Sequence, residues 1–155
     1  MENEITRNME DYLETIYMLS KDKGRARVKD IADRLCVKPA SVSEMLQKLD
    51  KRKYLVYEKY GKVMLTEKGK ISGKAISTRH KTLKEFLKII LVPDDAAERD
   101  ACIIEHNILP KTLEQIAKLV EFMKHCNSQP MQFKDFRSYC KTGNFPVPGK
   151  RTNNV

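Results

Sequence analysis

Apolar positions recur with a helical period along the first fifty residues of the chain. Between positions 10 and 21 they fall three and four residues apart, which predicts an amphipathic helix. A second short helix is predicted over Val28–Leu35. Pro39 predicts the start of a third, since proline favours the first turn of a helix. Two short helices separated by three or four residues are typical of a helix-turn-helix.

The period then changes to that of β-strands. Residues 54–66 contain two short β-prone arms around the tripeptide Tyr60-Gly61-Lys62, which predicts a hairpin. Helix, turn, helix and hairpin in this order predict a winged helix, and Lys59 and Lys62 belong to the tip of the wing.

The second half of the chain returns to helical spacing. Thr66 is a candidate N-cap for a long helix that ends at the segment LVPDD. Further helices are predicted over 96–107 and 110–124, and one more short helix around 133–140. The apolar stripe of 110–124 predicts either part of a core or a dimer face.

Composition and charge narrow the function classes. The 155 residues suit one medium domain or two small ones, and 41% hydrophobic with 33% charged residues predicts a soluble globular chain. The net charge of +9 favours a polyanionic partner, usually nucleic acid. No apolar run approaches the roughly 20 residues of a membrane span. The polar, acidic start does not resemble a secretory signal, so we expect a cytoplasmic protein without a membrane partner.

The third predicted helix is the candidate DNA reader. Residues 38–53 contain five basic and two acidic side chains. Gln47 could reach an adenine edge, and Lys48 a guanine or a phosphate. The small hydroxyl residues near the start of the helix allow close approach to the backbone. The alternative is a solvated face of a protein-interaction domain. The candidate DNA-binding residues are Lys38, Pro39, Ser41, Ser43, Gln47, Lys48, Lys59 and Lys62.

A second group of residues carries metal chemistry. Cys102, Glu105 and His106 stand at i, i+3 and i+4, so a helix would place them on one face. Each alone has an ordinary explanation as a buried thiol, an exposed carboxylate or a capping imidazole. Together they suit Mn²⁺, Fe²⁺, Co²⁺ or Zn²⁺ and differ from the cysteine-rich sites of structural zinc. Further candidate ligands elsewhere in the chain are Asp11, Glu14 and His80.

Several segments together resemble one family. They are MEDYLETIYML, RVKDIADRLCVKPASVSEMLQKLDKRKYLVYEKYGKVMLTEKGK, RHKTLKEFL and CIIEH. Over about residues 9–124 the chain resembles the diphtheria-toxin-repressor family of metal-dependent regulators, and its manganese transport regulators and archaeal iron-dependent repressors most of all. The resemblance implies a winged-helix DNA-binding domain joined by a long helix to a helical dimerisation domain.

The same resemblance implies a ligand set. Asp11, Cys102, Glu105 and His106 match the main metal site, and Glu14 and His80 match the ligands of a second ion that Glu105 could bridge. Glu98 stands where the family has a histidine, and it is a further candidate for the second ion. The other residue that departs from the iron-type pattern is Lys84, where a carboxylate is expected.

Cys102 makes the site a hybrid of two types. Manganese-type members have a carboxylate at this position, whereas iron-type members have cysteine here but methionine in place of Asp11. Because a thiolate is a softer ligand, it tilts selectivity from Mn²⁺ toward Fe²⁺ or Zn²⁺. We expect Fe²⁺ as the favoured cofactor, with Mn²⁺ as the alternative and Zn²⁺ or Co²⁺ as substitutes in vitro.

The expected function is metal-dependent transcriptional repression. A homodimer would bind a pseudo-palindromic double-stranded DNA operator of metal-uptake genes, with no small organic substrate. Two alternatives are a winged-helix regulator with a purely structural metal and a metal-dependent hydrolase. The chain shows no oxyanion device, Gly-rich phosphate loop or nucleophile elbow for a hydrolase.

The expected fold class is mainly α, a winged helix-turn-helix with a small β-hairpin wing plus a helical dimerisation domain. The DNA-binding domain is expected over 1–66 and the linker helix with the metal-binding and dimerisation domain over 67–124. Residues 125–155 form an extension that is too short for the SH3-like domain of longer family members. Within it, His125, Cys126 and Cys140 are either an accessory zinc or redox group or ordinary thiols.

Overall fold

The computed structural model describes residues 5–58, 63–126 and 131–144. Within these ranges the chain forms helices joined by short turns, and two strands make one antiparallel sheet. In chain order the elements are α1 (Arg7–Lys23), α2 (Val28–Leu35), α3 (Pro39–Lys51), β1 (Leu55–Tyr57), β2 (Val63–Leu65), α4 (Glu67–Ile89), α5 (Asp94–Ile104), α6 (Pro110–Cys126) and α7 (Met131–Thr142).

The chain divides into two compact units. The first contains the residues up to Lys81 together with Cys102–Asn107, and the second contains Thr82–Ala101 and the residues from Ile108 onward. In the first unit, α1, α2 and α3 pack against one another around a continuous apolar core. The fully buried side chains of this core include Leu13, Ile16, Ile31, Leu46 and Leu49.

Local signals set the ends of the first three helices. The Thr6 hydroxyl accepts from the Met9 backbone N–H and caps α1, which ends at Gly24 with a left-handed φ of 69°. Helix α2 ends at Cys36, also left-handed with φ 54°. Pro39 occupies the first turn of α3, so the predicted helix-turn-helix is confirmed.

The hairpin follows α3 as the sequence predicts. Strands β1 and β2 pair with Leu55 opposite Leu65 and Tyr57 opposite Val63. Leu55 and Val63 are buried, whereas Val56 in the same sheet is exposed, as the alternation of a half-buried sheet requires. The predicted wing tip, with Lys59 and Lys62, lies outside the described residues.

Helix α4 begins with a polar cap and two close contacts. The Thr66 hydroxyl accepts from the Gly69 N–H, which confirms the predicted N-cap. A Cβ at Gly69 would lie 1.8 Å from the Tyr54 carbonyl oxygen, and one at Gly73 would lie 2.7 Å from the Tyr17 Cβ. Only glycine therefore lets α4 approach the hairpin and α1 this closely.

The second unit has its own smaller core. Leu83 and Leu87 of α4 and Ala97 and Ala101 of α5 are buried together. Charged side chains bridge the same two helices at the surface, where Lys84 pairs with Glu98 at 2.7 Å. None of the helices in the described ranges is long and apolar enough to cross a membrane.

Candidate metal centre

Helix α1 contributes three carboxylates within two turns. Asp11 and Glu14 stand one turn apart, and Glu10 precedes Asp11. The opposite side of the same helix carries the buried residues Leu13 and Ile16, so the core fixes the direction in which the carboxylates project. The helix that positions these groups is therefore also part of the helix-turn-helix core.

The chain after α5 supplies the remaining ligand candidates, but not as the sequence predicts. The helix predicted over 96–107 ends at Ile104, so Glu105 and His106 lie in a turn. The Asn107 side chain donates to the Ile103 carbonyl at 3.1 Å, and its backbone N–H donates to the Ile104 carbonyl at 3.0 Å. These bonds satisfy carbonyls that the helix would otherwise use, and they close it early.

Two carboxylates, one from α1 and one from the turn itself, converge on Nε2 of the His106 ring. Its Nε2 lies 2.9 Å from Asp11 Oδ1 and 3.4 Å from Glu105 Oε1. One ligand atom from each residue lies within 4.8 Å of the other two, a spacing that fits ligands around a single ion. Asp11, Glu105 and His106 thus form a first cluster of possible ligands.

A second cluster shares Glu105 with the first. The other oxygen of this carboxylate, Oε2, lies 3.1 Å from Nδ1 of His80 on α4. Glu14, His80 and Glu105 also offer ligand atoms within 4.8 Å of one another. The Cys102 sulfur lies 3.8 Å from the same His80 nitrogen, so a soft donor lies beside the second cluster.

Glu105 is the most buried charged group of the centre, with a side chain only 1% exposed. An isolated buried carboxylate is costly, so it must be paired with donors or with a cation. Its two oxygens face different imidazoles, which is the arrangement of a carboxylate that can bridge two ions. Hard oxygen donors with imidazoles and one thiol fit a divalent first-row metal.

Burial and mutual repulsion raise the pKa values of two carboxylates of the centre. Burial raises the pKa of Asp11. Burial and then the charge of Glu105 raise the pKa of Glu14. The contact with Cys102 and then that with Glu105 raise the pKa of His80 to about 11. The carboxylates thus lie where a positive charge stabilises them, whether a proton or a metal ion.

Glu98 is the remaining candidate ligand from the sequence. It belongs to α5 in the second unit, where its carboxylate accepts from the Lys84 ammonium. Lys84 also lies 3.4 Å from Asp94. The lysine that replaces the family's carboxylate therefore already neutralises Glu98.

Two residues at the centre were not predicted from the sequence. Glu10 lies 2.7 Å from His106 Nδ1, and Arg79 pairs with Glu10 at 2.8 Å. Glu10 sits among several acidic residues and Arg79 in a chain rich in cations, so neither type nor spacing distinguishes them. Adjacency to Asp11 and His80 is the signal that could have marked them.

Helix α3 presents most of the candidate DNA-reading residues to solvent. Ser41, Gln47 and Lys48 are exposed, as are Lys38 and Pro39 at its start.

Ser43 differs from these residues because it is half-buried. Its hydroxyl donates to the Pro39 carbonyl at 3.2 Å and accepts from the Tyr57 hydroxyl at 3.4 Å. The hairpin therefore contacts the helix through Ser43.

The fold is a winged helix, and its first helix also contributes carboxylates to a cluster that contains imidazoles and a thiol. These two features together define a class of DNA-binding proteins that carry candidate metal ligands. Family comparison agrees with this class. Residues 4–63 match the N-terminal DNA-binding domain of the iron-dependent repressors, and residues 66–133 match their metal-binding and dimerisation domain. The chain belongs to the iron-dependent repressor family of metal-dependent, DNA-binding transcriptional repressors.

Individual relatives are similar over most of the chain. The HTH-type transcriptional regulator MntR of Bacillus pumilus is 46% identical over 129 residues, covering 83% of this chain and 90% of the relative. MntR of Bacillus subtilis is 44% identical over 132 residues, covering 85% and 93%. Because these relatives are transcriptional regulators, the hydrolase alternative is set aside.

Solved structures agree on the fold. The manganese regulator SloR superposes with a TM-score of 0.65 at 29% identity, over 76% of this chain and 55% of that one. The IdeR of T. acidophilum superposes with a TM-score of 0.64 at 26% identity, over 75% and 54%. The chain spans about half the length of these two solved proteins. The expected fold class, a winged helix with a dimerisation domain, is confirmed.

Proposed function

We propose that a divalent metal held by Asp11, Glu105 and His106 switches a homodimer of this protein to bind a pseudo-palindromic operator of metal-uptake genes. The observation that carries the proposal is the convergence on His106 Nε2 of Asp11 Oδ1 at 2.9 Å and Glu105 Oε1 at 3.4 Å. The first carboxylate belongs to a helix of the DNA-binding fold, whereas the second follows α5.

The coupling follows from what α1 packs against. Its buried face contacts α2 and α3, so restraint of α1 also restrains α3, which carries the candidate DNA-binding residues. A bound ion supplies the positive charge that lets the carboxylates of Asp11 and Glu105 remain ionised close together. Asp11 and His106 then hold α1 against the turn after α5. The free-energy cost of ordering the two α3 helices of a dimer on one operator is therefore lower with metal bound than without it.

Such coupling is reciprocal. If metal tightens operator binding, the operator tightens metal binding by the same factor.

A second ion would use Glu14, His80 and Glu105. Their ligand atoms lie within 4.8 Å of one another, and the Cys102 sulfur lies beside His80. Glu98 is proposed as a weaker contributor, because it must first leave Lys84.

The metal preference rests on Cys102. Thiolates favour Fe²⁺ and Zn²⁺ over Mn²⁺, whereas the surrounding carboxylates accept all three. We favour Fe²⁺, with Mn²⁺ as the alternative because SloR is a manganese regulator. Zn²⁺ and Co²⁺ would substitute in vitro.

The proposed domain limits place the winged helix within 1–66, the linker helix with the dimerisation domain within 67–124, and an extension from 125. On the DNA side, the exposed Gln47 and Lys48 of α3 would reach base edges or phosphates. Lys38, Pro39, Ser41 and the wing residues Lys59 and Lys62 would contact the backbone. Ser43 would contribute through the Tyr57 contact that fixes it.

The test is anaerobic fluorescence anisotropy with DNA from the gene's own upstream region, titrated with Fe²⁺, Mn²⁺ and Zn²⁺ against a chelator. We expect saturable binding that requires one of these ions and is lost in His106→Ala. Matched His125→Ala, which removes an exposed imidazole of α6, should bind as the unaltered protein does. Full metal response in His106→Ala would refute the assigned site.

The rival proposal, a purely structural metal, gives a different result. A structural ion does not leave without unfolding the protein, so chelator would lower the free energy of unfolding and abolish binding irreversibly. A regulatory ion should leave and return with the fold preserved, as measured by circular dichroism on the same samples.

A further inference from the structure

Glu10 contacts two different groups, the Nδ1 atom of His106 and the guanidinium of Arg79. One oxygen, Oε2, lies 2.7 Å from His106 Nδ1, and the other, Oε1, accepts from the Arg79 guanidinium at 2.8 Å. The His106 side chain is 3% exposed and that of Glu10 is 19% exposed, so water competes little for this contact. All three residues belong to the first unit.

This contact decides which His106 nitrogen faces the ligand cluster. Carboxylate oxygens accept hydrogen bonds, so this contact fits the tautomer of His106 in which Nδ1–H donates to Glu10. The other nitrogen, Nε2, then points toward Asp11 and Glu105. Histidines that ligate metals commonly donate their second N–H to a carboxylate, which fixes the ring and makes it a better ligand.

We propose that Glu10 is a positioning residue for the metal centre: anchored by Arg79, its carboxylate holds the His106 ring with Nε2 directed at Asp11 and Glu105. This inference rests on the proposed function. It adds a residue that contacts a ligand without itself being one.

Arg79 keeps Glu10 in this role. The second oxygen of Glu10 is bound by the guanidinium of Arg79. The buried Nε of Arg79 has no hydrogen-bond partner among the described residues, whereas its Nη2 donates to Glu10. Arg79 also neutralises one of the four carboxylates that surround His106 and His80.

The test compares two acidic residues with matching positions. Glu10 and Glu67 each lie in the first turn of a helix and each pair with a cation, but the described residues pair Glu67 with the exposed Lys70 alone. Mn²⁺ affinity is measured by chelator competition. We expect Glu10→Ala to weaken it by about 10–100-fold, Glu10→Gln by less because it keeps an acceptor oxygen, and Glu67→Ala not at all.

A spectroscopic measurement separates positioning from general loss of stability. In the Zn²⁺-loaded protein, nuclear magnetic resonance of the His106 ring should show Nε2 bound to metal and a slowly exchanging Nδ1 proton. Glu10→Ala should lose the protection of that proton. Arg79→Met leaves Glu10 in place and should show a smaller effect of the same kind.

The outcomes distinguish this inference from the proposed function. If the unaltered protein binds neither ion, or if His106→Ala binds both normally, the proposed function fails. If the unaltered protein binds and His106→Ala does not, but Glu10→Ala keeps full affinity and a protected Nδ1 proton, then Glu10 is only a structural ion-pair partner and the inference is overturned.

Discussion

At the residue scale, Cys102 places a sulfur atom beside the candidate metal ligands. Its sulfur lies 3.8 Å from His80 Nδ1, in a cluster otherwise made of carboxylates and imidazoles. Carboxylate oxygens accept Mn²⁺ readily, whereas sulfur contributes most to Fe²⁺ and Zn²⁺. Within the proposed function, the residue at position 102 therefore sets the relative affinities for the different metals, whereas Asp11 and His106 are ligands for all of them.

Cys102→Asp should shift the metal preference toward Mn²⁺. We expect the ratio of Mn²⁺ to Zn²⁺ affinity to rise by at least about tenfold, because the substitution replaces a soft donor with a hard one. Competition with a chelator under anaerobic conditions measures both affinities. Cys140→Ser, which alters an exposed thiol on α7, is the control. An unchanged ratio in Cys102→Asp would show that the thiol is not a ligand.

At the level of elements, a glycine allows α4 to approach α1 closely. Gly73 of α4 lies where a Cβ would approach Tyr17 Cβ to 2.7 Å and the Leu13 carbonyl oxygen to 3.0 Å. The same pair of helices carries Asp11 and His80. Close packing of the backbones therefore sets the separation of the side chains that form the centre.

Gly73→Ala should destabilise the protein although alanine favours helices. The helical preference gains up to about 1 kcal/mol, but overpacking against a backbone carbonyl costs about 1–3 kcal/mol. We expect a net loss in the free energy of unfolding, measured by urea denaturation. Lys74→Ala, at the exposed neighbouring position, should stay within about 0.5 kcal/mol. Equal stability of Gly73→Ala would mean that the two helices separate at little cost.

At the level of the whole molecule, the second unit exposes apolar side chains on α6. Leu119 and Phe122 lie three residues apart on α6 and are 45% and 57% exposed. Val120 of the same helix is buried. Residues 66–133 match a dimerisation domain, so we expect a second copy of the chain to cover this face.

Phe122→Asp should therefore weaken the dimer. A charge at the centre of an apolar interface should raise the dimer dissociation constant at least about tenfold, measured by analytical ultracentrifugation. The control is Val37→Asp, which places the same charge on an exposed apolar position in the turn of the DNA-binding domain. Unchanged association of Phe122→Asp would place the dimer contact on another surface.

The sequence by itself determined where most helices and the hairpin lie, and it indicated which types of residue are candidate ligands. Apolar spacing, Pro39 and Thr66 are local signals, and each acts within a few residues of the chain. They therefore predicted α2, α3 and the start of α4 without any knowledge of packing. The same period predicted a helix through 107, because it contains no sign of the Asn107 side chain closing α5 at Ile104.

Only the tertiary structure decided which groups meet. Glu10 and His106 lie 96 positions apart in the chain, and their contact depends on the packing of α1 with the segment that follows α5. No periodicity reports such a distance, so the sequence could suggest Asp11 and His106 as ligands but could not mark Glu10 or Arg79. Local patterns specify elements, whereas the orientation of a ring nitrogen depends on every element that packs around it.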